Sequence, residues 1–200
     1  MFPDFFRDDV FRLETPRLWL RWPTAADASA IEKYAGEAQV AQWTAHIPHP
    51  YPAGLAQRFV ISARQANVEG RALHMALAQR TRPQALIGMV SLDKTDDSAV
   101  LGYWLGSPYW GAGLMAEAVR DLISMVWMTT GVEKVVADVM VGNARSREVL
   151  AACGFAPVEG VGCAAPARGG QVAADRFELV RTPRGARWTI AARDRAACAP

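Results

Sequence analysis

Apolar residues recur along this chain at changing periods, and each change marks the edge of an element. After Thr15-Pro16, the run Leu18, Trp19 and Leu20 up to Arg21 predicts a short first strand. Thr24 is a helix-capping residue type and Asp27 suits the positive end of a helix dipole, so a helix is expected to run to about Ala35. Trp43 to Pro52 holds three prolines in ten residues and predicts a long, stiff connection of the kind that binds ligands. A second helix is expected from Gly54 to about Glu69, with Leu55, Phe59, Ala63 and Ala66 near a common face and Gly70 at its end. Leu73 to Gln79, Leu86 to Leu92 and Ala99 to Leu105 then read as three strands with hairpin-like separators, an antiparallel meander.

The clearest helical period is Leu114 to Thr130. Leu114, Ala118, Leu122 and Val126 form one row with Met115, Val119, Ile123 and Trp127 beside it, and Glu117, Arg120, Asp121 and Ser124 fill the opposite face. Gly131 stops this helix, and Lys134 to Val141 suits a strand buried on both faces except at Asp138. After Asn143 a helix is expected to about Cys153, ending at Gly154, then a strand from Phe155 to Val161, a loop over 164–174 and a last strand from Arg176 to Thr182. The expected class is α/β, one domain over residues 1–182, followed by an Arg/Ala-rich basic tail over 183–200 that is solvated.

Composition narrows the classes. The chain has 200 residues, 51% hydrophobic and 21% charged, which fits one folded core and argues against disorder or a fibrous repeat. A net charge of +2 does not supply the basic field of sequence-independent nucleic-acid binding, so no direct nucleic-acid partner is expected. The cysteines Cys153, Cys163 and Cys198 are odd in number and lack CxxC spacing, so neither a disulfide framework nor a zinc knuckle is indicated. No run is long enough for a membrane span and the acidic start MFPDFFRDDVF does not suit a signal peptide, so a cytoplasmic protein is expected.

The most readable chemistry is Trp110-Gly111-Ala112-Gly113-Leu114-Met115 at the opening of the long helix. Glycines there let backbone N–H groups converge on an anion at the positive end of the dipole, and a phosphate is the natural guest. The alternative is a tight turn that needs positive φ. Gly111-x-Gly113-x-x-Ala116 also matches a dinucleotide-binding pattern, with Asp138 downstream. In that pattern the strand runs directly into the first glycine, whereas Gly106 to Trp110 intervene here.

These fragments resemble the GNAT superfamily of acyl-CoA-dependent N-acyltransferases, in particular its Rim-type branch of ribosomal-protein N-terminal acetyltransferases. The pieces stand in family order over about residues 12–182: Leu13 to Arg21, Leu86 to Leu92, Leu101-Gly-Tyr-Trp-Leu-Gly106, Tyr109 to Ala118, and Asn143 to Leu150 ending in Gly154-Phe155. The resemblance implies a mixed sheet of about six to seven strands splayed at the cofactor site, an antiparallel N-terminal meander and about four helices. It implies that the amides of Trp110, Gly111, Ala112, Gly113, Leu114 and Met115 hold the pyrophosphate of acetyl-CoA as co-substrate. Leu105 and Gly106 would bond the pantetheine arm, with the Leu105 amide polarising the thioester. Asn143 would bond the pantetheine or seat the following helix, and Ser146 would protonate the departing thiolate. Helix capping explains Asn143 and Ser146 equally.

Two departures stand out. Met115 occupies a position that is usually Gly or Ala, so contact there is expected through its amide with the side chain buried. Ser98-Ala99-Val100 carries no carboxylate where members often have a general base. His74 is one candidate base, its ordinary pKa near 6.5 suiting that role, with a structural histidine as the alternative. Asp93 and Glu159 are further candidates, as is water. Trp43, His46 and Tyr51 are candidate acceptor-binding residues; His46 and His49 do not by themselves make a metal site, and no metal is expected.

The expected activity is transfer of acetyl to a primary amine, a protein N-terminus or a small amine, by direct attack in a ternary complex. Cys153 is expected to be buried and to carry no acyl group. A catalytically weak acyl-CoA-binding module and a nicotinamide-dependent oxidoreductase are the alternatives, and the protein would act as a monomer or homodimer.

Overall fold

The computed structural model describes residues 1–96 and 98–181, apart from the side chains of Glu159 and Val161. The basic tail over 183–200 and the Glu159 carboxylate therefore lie outside the description. One mixed sheet has the strand order β1-β2-β3-β4-β5-β6-β8-β7. Its strands are β1 (Arg12–Glu14), β2 (Leu18–Arg21), β3 (Ala72–Gln79), β4 (Leu86–Lys94), β5 (Ser98–Leu105), β6 (Lys134–Met140), β7 (Ala156–Ala165) and β8 (Gly170–Val180). The helices are α1 (Ala28–Ala35), α2 (Ala38–Ala41), α3 (Leu55–Val68), α4 (Leu114–Thr129) and α5 (Ala144–Ala152). Among the described residues, eight strands and five α-helices exceed the expected six to seven and about four, the additions being the three-residue β1 and the four-residue α2.

Neighbouring strands are antiparallel except β5 and β6. That parallel pair is short, joining Ser98–Val100 to Lys134–Val136. Beyond it β5 stays with β4 as far as Leu105, while β6 follows β8 to Met140. The sheet therefore opens into a V between the last residues of these two strands.

Alternation along the strands divides the core between two faces. Leu73, Met75 and Leu77 of β3 face one way and join both apolar rows of α4, with Leu150 and Cys153 at the end of α5. Ala76, between them, faces α1 and α3, where Ile31, Ala35, Ala56 and Val60 pack with Leu86 and Met89. Leu122 is completely buried in the α4 layer, and a side chain of that size contributes about 1.5–3 kcal/mol by leaving water.

Polar residues explain the local departures. The helix begun at Thr24 opens as a 3-10 turn, Ala25–Asp27, before α1. Asp27 is a core residue as well as a first-turn acid: it accepts the Thr24 backbone N–H at 2.7 Å and both Arg21 Nη groups at 2.7 Å. Asp138 interrupts the apolar run of β6 because it lies opposite Arg176 in β8, and the pair is bidentate at 2.7 and 2.8 Å. The loop expected over 164–174 is mostly strand, since the β7–β8 ladder continues to Ala165 opposite Gly170 and leaves a turn at Pro166–Arg168. The small residues Cys163 to Ala165 and Ala173 carry little strand propensity of their own, and cross-strand pairing overrides it.

Candidate active site

A cleft of about 960 Å³ occupies the V between β5 and β6. It joins the glycine loop and α4 to the start of α5, then continues past the open side of β5 to the loop after α2 and the middle of β3 and β4. Of the residues expected to hold acetyl-CoA, Leu105, Trp110, Gly111, Gly113, Leu114, Met115, Asn143 and Ser146 line it. Gly106 and Ala112 do not.

Gly111 and Gly113 have φ of 77° and 71°, so the turn does require left-handed backbone, and it delivers the chain to the N-terminus of α4 at the same time. The positive-φ reading of these glycines is thus met, and it is compatible with the anion-binding one. Met115 is 4% exposed, its side chain within the core as expected. The Trp110 indole Nε1–H donates to the Leu105 carbonyl at 2.7 Å, and the Arg145 guanidinium lies 4.5 Å from its ring centroid. This ties the loop to the end of β5 and places a cation against it.

The register decides what the end of β5 offers. Leu105 lies opposite Gly88, and the Gly106 N–H donates to the Ile87 carbonyl at 2.9 Å. Leu105 is therefore in a non-hydrogen-bonded pair, and its own N–H points away from β4 into the V. The Gly106 amide is spent on the ladder. A Cβ at Gly106 would come within 2.9 Å of the Tyr34 ring, so this glycine serves the packing of α1 and not the cleft.

Asn143 Oδ1 accepts the Ser146 N–H at 3.2 Å, so the capping role is real, yet both residues also line the cleft. Tyr103 was not foreseen. Its Oη is 2.7 Å from Ser146 Oγ and 3.2 Å from the Ser146 carbonyl. Burial pushes its pKa far above the ordinary value, and the hydrogen bond with Ser146 only partly opposes this. The phenol is protonated throughout the neutral range. Its signal in the sequence was its position two residues before Leu105, on the same side of the same strand.

His74, Asp93, Trp43 and His46 line the other end of the cleft. Asn67 accepts the His74 N–H at 2.7 Å and donates to its carbonyl at 3.0 Å, fixing the backbone of that residue. His74 Nε2 is 3.9 Å from Asp93 Oδ1, and Phe59 packs on the ring edge-to-face. Burial lowers the His74 pKa below 6.5, with the Asp93 carboxylate opposing it. Tyr51 does not reach the cleft: it packs with the α1 and α3 core, and burial, together with the Glu32 charge, raises its pKa. His49 turns its Nδ1 to the Gly36 carbonyl at 2.9 Å. Among the described residues no group of three or more His, Cys, Asp or Glu side chains is placed to hold a metal.

The turn between β7 and β8 docks on the loop after α2. Ala167 N–H donates to the Ala45 carbonyl at 3.1 Å, and Arg168 donates to the carbonyls of Thr44, at 3.2 Å, and Ile47. Cys163 lines the cleft beside this bridge. Cys153 is buried, its thiol donates to the Ala116 carbonyl at 3.4 Å, and burial pushes its pKa up to about 11. A thiol so disposed is a poor nucleophile.

A mixed sheet split between β5 and β6, with a helix N-terminus at one end of the opening and a hydroxyl pair beside it, fits the acyl-CoA acyltransferase class that the sequence resemblance implies. The acetyltransferase (GNAT) domain model matches residues 17–156, and the chain belongs to that family. It is 28% identical over 152 residues to the [ribosomal protein uS5]-alanine N-acetyltransferase of Escherichia coli, covering 72% of this chain and 77% of that protein. The fold superposes on a Vibrio cholerae protein provisionally named a ribosomal-protein-serine acetyltransferase, with TM-score 0.73, 25% identity and coverage of 90% and 100%. It also superposes on Mycobacterium smegmatis RimJ in complex with CoA-disulfide, with TM-score 0.73, 20% identity and coverage of 90% of each chain. The protein is an acetyl-CoA-dependent N-acyltransferase with acetyl-CoA as its co-substrate. The nicotinamide alternative falls with this, and the 3-10 turn Ser107–Tyr109 between β5 and the first glycine agrees. No helix among the described residues is long and apolar enough to cross a membrane.

Proposed function

We propose that the protein acetylates the free α-amine of a protein N-terminus, the amine attacking the thioester directly in a ternary complex. One observation carries the reading: a single cleft is lined by the glycine loop, Leu105, Ser146 and His74. Acetyl-CoA supplies the activated acetyl group. The amides of Gly111 and Gly113 to Met115 bind its diphosphate at the α4 terminus. The Leu105 N–H donates to the thioester oxygen as charge develops there, a contribution of about 3 kcal/mol by analogy with oxyanion holes.

His74, neutral at physiological pH, takes the proton of the attacking amine. Asp93 steadies the imidazolium so formed. Ser146, backed by Tyr103, gives its proton to the departing thiolate and takes one back from solvent as the thiol leaves. Cys153 forms no acyl intermediate. Trp43 and His46 border the acceptor, and the Asp93 carboxylate in the cleft suits a cationic amine before it is deprotonated. The name of the Escherichia coli relative, an alanine N-acetyltransferase of a ribosomal protein, supports a polypeptide acceptor.

The test is thiol release from acetyl-CoA with peptides bearing a free N-terminus, the same peptides blocked at the N-terminus but containing lysine, and a polyamine. Product masses would be read for each. Acetylation confined to free N-termini is expected; turnover on lysine or polyamine alone, or CoA binding without turnover on any amine, overturns the acceptor assignment.

A further inference from the structure

Glu117 was expected on the solvated face of α4, yet it is 9% exposed. Thr15 Oγ1 donates to its Oε1 at 2.6 Å, the Arg17 backbone N–H to the same oxygen at 2.8 Å, and Arg17 Nε to Oε2 at 2.6 Å. Burial raises the Glu117 pKa, but these bonds and the Arg17 charge outweigh it and hold the group below the ordinary carboxylate value. A charged carboxylate in the first turn of α4 would repel an anion at that terminus, and Arg17 neutralises it.

Held at Nε, Arg17 extends Nη1 to the Ala112 carbonyl at 2.7 Å. In a trans peptide the N–H points opposite to the C=O. Drawing the Ala112 oxygen toward the start of β2 therefore turns the Gly113 N–H the other way. Gly113 lines the cleft, whereas Arg17 and Ala112 do not. The loop from Trp110 to Leu114 has no basic side chain, so its aim depends on backbone donors that a residue behind it can set.

We propose that Arg17 is a positioning residue for acetyl-CoA: Glu117 fixes Arg17, Arg17 fixes the Ala112 carbonyl, and the Gly113 N–H is thereby presented to the diphosphate. Arg17 acts from behind the loop, through a peptide plane. Lysine cannot replace it, because one ammonium on a flexible stem does not bridge the carboxylate and the carbonyl as a rigid fork does.

The test compares CoA with pantetheine, which shares the thiol arm and lacks the diphosphate and nucleotide. CoA affinity is read by calorimetry, and pantetheine binding by the rise it produces in the unfolding midpoint at millimolar concentration. Arg17→Ala is expected to weaken CoA about tenfold, leave the pantetheine-induced rise unchanged and raise KM for acetyl-CoA with kcat within twofold. Arg17→Lys should recover less than half of the loss. Glu117→Gln keeps the volume but removes the charge that grips Nε, and should weaken CoA about threefold with the same selectivity. It reads the contrast independently should Arg17→Ala not fold. Equal weakening of CoA and pantetheine, unchanged CoA affinity, or full rescue by lysine would overturn the proposal.

Discussion

Replacing Ser146 by Ala removes the proposed donor to the thiolate. An ordinary thiol has a pKa near 8.5, so the leaving thiolate is not strongly basic and the benefit of protonating it falls at the low end for general acids, about a hundredfold in kcat, or ~2.7 kcal/mol. Tyr103 sets the direction of that donor. Its phenol is protonated and 2.7 Å from Ser146 Oγ. When it donates to Oγ, the serine proton is free to point into the cleft. Tyr103→Phe leaves the serine in place but removes this constraint, which costs one neutral hydrogen bond, about 0.5–1.5 kcal/mol or ~2- to 10-fold in kcat. A tyrosine that works only through serine must lose its effect once the serine is gone. Ser146→Ala/Tyr103→Phe is therefore expected to match Ser146→Ala, with a coupling energy equal to the whole cost of Tyr103→Phe. The assay is the initial rate of thiol release at saturating acetyl-CoA and acceptor, with urea midpoints to separate stability from chemistry. A further slowing by Tyr103→Phe in the alanine background, by the same factor as in the native one, would refute the relay. An unchanged kcat in Ser146→Ala would remove the serine from the chemistry altogether.

The pH dependence of His74 has a definite sign. Its folded pKa is below 6.5, so the imidazole is neutral above that value and kcat/KM should begin its acid fall only below 6.5. The unfolded chain takes up this proton first as pH drops, so stability is lost through the same window. Asp93→Asn removes the charge that raises the His74 pKa and should move the acid limb lower still; a limb that stays in place after this change excludes His74 as the titrating base. Asp27→Ala strands the buried Arg21 guanidinium, which is 8% exposed, and should cost about 3–5 kcal/mol in urea unfolding. A loss under about 1 kcal/mol would mean that water reaches the pair. Arg168→Ala loosens the loop after α2 from the β7–β8 turn, keeping the Ala167–Ala45 backbone bond, and the loss of about two hydrogen bonds should raise acceptor KM roughly tenfold with acetyl-CoA KM unchanged. A change confined to acetyl-CoA would disconnect that bridge from the acceptor end.

What could be read from the sequence and what could not divide along a physical line. The strands Leu18–Arg21, Ala72–Gln79 and Ser98–Leu105 and the helices α3 and α4 follow from local periodicity, and their bounds lie within a residue or two of expectation. The glycine turn and the Asn143 cap are also local: each satisfies backbone groups a few residues away, so residue type and spacing reveal them. Side-chain contacts in and around the cleft join partners distant along the chain. Tyr103 meets Ser146 across 43 residues, Thr15 meets Glu117 across 102, and Arg168 meets Thr44 across 124. Periodicity assigns such residues by their local face alone, and it misplaced Glu117 because the face it occupies is covered by the segment before β2.

Gly106 shows the complementary case. The resemblance set it with Leu105 against the pantetheine arm, whereas its amide bonds the β4 ladder and the space a Cβ would take is held by Tyr34, and the strand register that reveals this is itself a long-range fact. A locally encoded backbone donor such as Gly113 N–H still depends on distant side chains for its aim. The N-terminal segment Thr15 to Arg17 is therefore as much a part of the proposed diphosphate site as the glycines it stands behind.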